Sequence, residues 1–183
     1  MPAPLPPLLT TERLRLRAWL PAADAALVRT LWSERDPRAR YRIDADGHPT
    51  VAEMEARLAE QLVVTARTGL ALLALERRAE GDVIGYCGLI AGQSSAEEPE
   101  IAYELLSREH GRGYATEAAR AVVHAATTAG LPRLWATVRV WNAPSFRVLE
   151  KLGFHDSGRL DPDAERGDTV WMTRDLRGPA VSG

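Results

Sequence analysis

Two glycines stand where a strand-like run, Glu100 to Leu106, gives way to an Ala-rich helical pattern that reaches about Ala129. The stretch reads His110-Gly111-Arg112-Gly113-Tyr114-Ala115-Thr116-Glu117-Ala118. Glycine permits a sharp turn and leaves no Cβ to keep a ligand from the main chain. The helix that follows begins with unpaired N–H groups and the positive end of its dipole, so a phosphate can rest there. Arg112 adds a cation inside the turn. The alternative is a connection whose glycines serve only tight packing. Two familiar nucleotide motifs are excluded: no Gly-Lys-Ser/Thr is present, and the Gly-x-Gly lacks a third glycine at the dinucleotide spacing.

A second chemical stretch lies downstream. Val140-Trp141-Asn142-Ala143-Pro144-Ser145-Phe146 places a polar amide at the end of a β-branched, alternating run, just before a Pro-started helix ending near Gly153. Asn142 can offer its amide to a ligand lying across a sheet, or it can cap the helix.

These residues resemble the GNAT acetyltransferases. His110-Gly111-Arg112-Gly113-Tyr114-Ala115 is similar to that family's pyrophosphate turn, Gln/Arg-x-x-Gly/Ala-x-Gly/Ala, with His110 where Gln or Arg is usual. A second register, from Arg108 through Gly111 to Gly113, also matches. Asn142 to Ser145 with Glu150-Lys151-Leu152-Gly153-Phe154 resembles the family's Asn-x-x-Ser…Glu-Lys-x-Gly-Phe segment. The Tyr114-Ala115-Thr116-Glu117-Ala118 continuation and the opening Thr10-Thr11-Glu12-Arg13-Leu14 resemble the branch that acetylates N-terminal alanines of ribosomal proteins.

The resemblance implies acetyl-CoA as donor, with its pyrophosphate on backbone amides from Gly111 to Thr116; read from its own place, His110 flanks a phosphate, orients the turn or lies on the surface. The pantetheine arm would pair with backbone at Leu105 and Leu106, and Asn142 would hold the arm or the amine region. The acceptor implied is a primary amine, on a small molecule or at a protein N-terminus. Its proton would pass to Glu100, with Glu104 in reserve, and a strand N–H would meet the oxyanion. Leu149 stands where many members carry the tyrosine that protonates the thiolate; Ser145 is the substitute, or water. A homodimer is compatible with the resemblance. That missing tyrosine keeps a second class in view, a catalytically weak acyl-CoA-binding regulatory module.

The remaining elements must position these groups. Leu14 to Trp19 alternates as a half-buried strand, and Pro21 to Trp32 has a helical pattern. Thr50-Val51-Ala52-Glu53 is a capping box opening a helix to about Thr68. Leu70 to Glu76 and Val83 to Ile90 form a hairpin around Gly81-Asp82. Period two puts Glu100, Ala102 and Glu104 on one strand face, with Ile101, Tyr103 and Leu105 on the other. Leu134 to Val140, Phe154 to Leu160 and Asp168 to Arg174 close the list, with a polar link at 161–167 expected to be mobile. The order predicts an α/β (α+β) fold: a mixed central sheet with helices on both faces. From the resemblance the sheet is mostly antiparallel, with splayed middle strands. Residues 10–176 read as one acetyltransferase domain between a loose N-terminal segment, 1–9, and a loose tail, 177–183.

Composition narrows the setting. The formal net charge is −2, from 23 Lys and Arg against 25 Asp and Glu, so whole-protein charge draws it neither to nucleic acid nor to anionic membrane. No apolar run reaches membrane-spanning length, and no signal peptide is evident. One cysteine, Cys87, excludes an internal disulfide and a cysteine zinc site, which fits the cytoplasm. The four histidines show no metal-ligand spacing, so no metal is expected.

Overall fold

The computed structural model describes residues 5–177. Of the two ends read as loose, residues 1–4 and 178–183 lie outside those described. The chain forms β1 (Leu8–Thr10), β2 (Leu14–Arg17), α1 (Pro21–Glu34), α2 (Val51–Thr68), β3 (Leu72–Arg77), β4 (Val83–Ile90) and β5 (Glu100–Leu105). After a 3-10 turn at Ser107–Glu109 come α3 (Tyr114–Thr128), β6 (Arg133–Arg139), α4 (Ala143–Lys151), β7 (His155–Asp161) and β8 (Thr169–Asp175). The described strands make one sheet in the order β1-β2-β3-β4-β5-β6-β8-β7, antiparallel everywhere except between β5 and β6. Among the described residues no helix is long and apolar enough to cross a membrane.

Alternation along the strands feeds two cores. Leu14, Leu16, Leu73 and Leu75 belong to the larger one, with Ala118, Ala119, Val122 and Ala126 of α3 and Leu149 of α4. The alanines let α3 lie close to the sheet. Ala74 and Tyr86 turn the other way, to Val28 of α1 and Met54 and Leu58 of α2. Helices therefore cover both faces. The capping box at α2 is formed as expected: Thr50 N–H donates to Glu53 Oε2 at 2.7 Å, and Glu53 N–H to Thr50 Oγ1 at 3.3 Å. Cys87 is a buried core residue whose thiol burial pushes far above its usual pKa, so it stays protonated.

Two local readings change. Leu8 and Leu9, in the segment read as loose, join Thr10 in an edge strand beside β2. The 161–167 link is tied down: Asp163 accepts from the N–H groups of Glu165 and Arg166 and from Arg139, and Trp141 Nε1 donates to the Arg166 carbonyl at 2.7 Å.

Residues far apart in sequence fix the start of α3. Glu117, in its first turn, accepts from the Thr11 hydroxyl at 2.6 Å, Arg13 N–H at 2.9 Å and Arg13 Nε at 2.6 Å. Burial works against the charged carboxylate, but these donors outweigh it and hold its pKa below the usual range. The Arg13 side chain is 42% exposed, so water screens its share and the other two donors matter more. Glu117→Gln is expected to cost about 2 kcal/mol, a melting temperature lower by about 4–8 °C. A carboxylate with a depressed pKa stabilises above its unfolded pKa and stops doing so as pH falls through the folded value. The gap between wild type and variant in thermal melts should therefore close below about pH 4.

Candidate active site

The site begins where two neighbouring strands part. β5 and β6 share a single registered pair, Glu100 with Trp135, and diverge beyond it. On its other side β5 pairs with β4 along its whole length, from Ile90–Glu100 to Gly85–Leu105. Just past that ladder, Leu106 N–H donates to the Ile84 carbonyl at 2.9 Å. Main-chain direction alternates along a strand, so Leu106 and Glu104 face β4 while Tyr103 and Leu105 turn their N–H groups into the gap. This divides the expected pantetheine pair: Leu105 faces the gap, whereas Leu106 is buried and its N–H is taken.

At the end of the gap the chain turns into α3. Gly111 and Gly113 have φ of 75° and 81°, where a side chain would be strained. The first bond of the helix is Glu117 N–H to the Gly113 carbonyl at 3.0 Å. Among the described residues, the N–H groups from Gly111 to Thr116 have no protein acceptor. Successive unpaired amides at a helix N-terminus form an anion cradle. Arg13 shapes it from outside, donating to the Arg112 carbonyl at 2.9 Å and stacking 4.4 Å from the Tyr114 ring. Arg112 itself points to Glu109, 3.5 Å away, and is not on the cleft wall. His110 orients the turn: its Nε2 donates to the Leu105 carbonyl at 2.9 Å, which places the ring proton on Nε2.

Gap and cradle open into one cleft of about 560 Å³, lined by Leu105, His110, Gly111, Gly113, Tyr114, Ala115 and Thr116 on one side. Asn142 and Ser145 stand opposite. Asn142 is indeed the helix cap, its Oδ1 accepting from Ser145 N–H at 3.4 Å, which leaves the two Nδ2 donors for a ligand. Ser145 Oγ has no partner among the described residues. Arg147 and Lys151, one helical turn apart on α4, line the same wall and add positive charge. The sequence reading passed over both, although their i, i+4 spacing puts them on one face.

Tyr103 was missed as well. Its hydroxyl donates to the Ser145 carbonyl at 3.1 Å on the cleft wall, and burial pushes its pKa well up, so it keeps its proton. Leu149, at the position of the expected tyrosine, is a core residue.

The two glutamates separate clearly. Glu100 is buried at the paired end of β5, accepting from Gln93 N–H at 2.5 Å and the Thr137 hydroxyl at 2.8 Å, with Gly92 packed on its carboxylate. It does not line the cleft. Glu104 does, and it accepts from Arg35 Nε at 2.7 Å, Arg35 Nη2 at 2.5 Å and the Tyr86 hydroxyl at 2.8 Å. Periodicity put both on one face but could not say which end of β5 would be open.

An extended groove ending in an unpaired helix N-terminus, with a carboxylate and hydroxyls on its walls, defines a site for a long diphosphate-bearing ligand. Residues 13–155 match the model of the Acetyltransferase (GNAT) domain. The chain belongs to this family, and as an acetyltransferase it uses acetyl-CoA as co-substrate. It is 30% identical over 163 residues to the uncharacterized N-acetyltransferase YoaA of Bacillus subtilis, covering 84% of this chain and 86% of that one. The fold matches yncA, an acetyltransferase of Salmonella typhimurium solved with acetyl-CoA: TM-score 0.70, 19% identity, 94% of this chain and 99% of that one. It also matches the ribosomal-protein-S5-alanine acetyltransferase of Vibrio fischeri: TM-score 0.69, 18% identity, 92% and 96% covered.

Gly113→Val tests the cradle. A β-branched residue resists a φ of 81°, and its Cβ would lie 3.4 Å from Arg13 Nη2. Acetyl-CoA affinity by calorimetry should fall more than about 30-fold, roughly 2 kcal/mol, with far-UV circular dichroism unchanged.

Proposed function

We propose that the protein transfers acetyl from acetyl-CoA directly to a primary amine, on a small molecule or a protein N-terminus, within a ternary complex. The observation that carries this reading is the strand gap running from Glu104 to the unpaired amides of the α3 N-terminus. Those amides and the α4 cations suit the pyrophosphate. The arm then lies along Tyr103 and Leu105, with Asn142 opposite. A gap-facing N–H of β5 is the natural oxyanion donor. A single reduced thiol and the choice of donor support a cytoplasmic setting, and residues 10–176 form the working domain.

Glu104 replaces Glu100 as base, because it reaches the cleft. The acceptor ammonium gives a proton to Glu104, and the neutral nitrogen attacks the thioester carbonyl. An N–C bond forms, the C–S bond breaks, and nitrogen loses its second proton to water as the adduct collapses. The departing thiolate takes a proton from Ser145 Oγ, which is replenished from water. Net, one ammonium and one thioester become one amide, one thiol and one free proton. Tyr103, protonated and next to Ser145, is the second candidate donor.

General-base catalysis contributes about 10²–10⁴-fold, so Glu104→Gln should lower kcat at least about 100-fold with little change in acetyl-CoA affinity. Glu100→Gln should lower the melting temperature while kcat stays within about threefold, since a buried hydrogen-bonded carboxylate away from the cleft acts through packing. Thiol release with a panel of amines reads both. Loss of turnover in the Glu100 variant alone would reverse the assignment.

A further inference from the structure

Between α1, α2 and the sheet face of β3 and β4 lies a second cavity, about 370 Å³, with walls that include Trp19, Trp32, Met54, Leu58 and Tyr86. Arg35 lines both this cavity and the cofactor cleft. Tyr86, on the wall of the second cavity, donates to Glu104, on the wall of the first. The two spaces thus meet at the Arg35–Glu104 ion pair, whose side chains are only 17% and 20% exposed.

That pair poses a chemical problem for any acceptor. The guanidinium engages both carboxylate oxygens and the Tyr86 hydroxyl adds a third hydrogen bond, so an acceptor ammonium must compete with Arg35 for Glu104. Separating two half-buried charges is costly unless each gains a new partner. A simple amine supplies a cation for Glu104 and nothing for Arg35. A molecule carrying an ammonium and a carboxylate on one carbon supplies both, at the spacing of adjacent charged groups.

The second cavity says what else such a molecule carries. Its body is aromatic and aliphatic. At the rim Arg57 lies 5.3 Å from the Trp32 ring and Arg35 lies 4.6 Å from it, with Glu60 the one acid on that wall. The balance is cationic, which suits an anionic group and opposes a polyamine.

We propose that the acceptor is a free α-amino acid with an aromatic or apolar side chain, its ammonium displacing Arg35 from Glu104 while its carboxylate takes up the freed guanidinium. The side chain fills the second cavity. This rests on the acetyltransferase reading above and narrows its acceptor from any primary amine. A peptide N-terminus has an amide in place of the carboxylate and would leave Arg35 unpaired. The group transfer is the one already balanced: N–C forms, C–S breaks, and one proton is released.

The test measures kcat/KM by thiol release for L-tyrosine, L-phenylalanine, L-tyrosinamide, tyramine, spermidine and a peptide with N-terminal alanine, after acetyl-CoA binding is established by calorimetry. L-tyrosine should exceed both tyramine and L-tyrosinamide at least about 30-fold, the loss of one charged partner. Arg35→Gln should collapse that ratio to within threefold and raise the KM for L-tyrosine. Tyramine, spermidine or the peptide used as well as L-tyrosine, or no transfer to L-tyrosine while acetyl-CoA binds, overturns the acceptor assignment and leaves the acetyltransferase reading standing. Absence of acetyl-CoA binding overturns both.

Discussion

Past Glu100, β5 and β6 stop bonding to one another, and the peptide groups along the gap have no neighbouring strand to satisfy them. At its end, the amides from Gly111 to Thr116 face the same shortage among the described residues. Main-chain donors left in a half-enclosed groove need a partner, and a long ligand with amide, carbonyl and phosphate groups supplies one along its whole length. The rest of the fold holds this arrangement open. β4 fixes one side of β5, β8 fixes the far side of β6, and the alanine face of α3 sets the cradle close above the sheet.

The support is long-range. Thr11 and Arg13, at the second strand, clasp Glu117 and the Arg112 carbonyl some hundred residues later in the chain. The first turn of α3 is thus located by hydrogen bonds that also keep its own amides free. On the other side of the sheet, Arg35 from the end of α1 closes on Glu104 of β5. The carboxylate proposed as base is therefore held by a residue at the end of α1.

Local chemistry was readable in the sequence wherever it depended on a few adjacent residues. Gly111 and Gly113, the Thr50–Glu53 box, the alanine face of α3 and the Asn142–Ser145 segment all appear as expected, because turn geometry and capping are short-range. The mostly antiparallel sheet and the splay followed from the resemblance. What failed was non-local. Glu100 and Glu104 share a face by periodicity, and only the point at which β6 departs decides which one meets the cleft. Leu106 continues the apolar run of Leu105, yet its N–H belongs to Ile84. Leu8–Thr10 hid among prolines, and the 161–167 link looked loose because Arg139 and Trp141, which tie it down, lie more than twenty residues earlier.

The most direct measurement is an NMR titration of the protein with acetyl-CoA, following backbone amide shifts residue by residue. Ligand seated on the unpaired amides would move Gly111 to Thr116 most, with Tyr103 and Leu105 along the gap moving at the same concentrations. Saturable shifts confined to other surfaces, with those amides unmoved, would contradict the site.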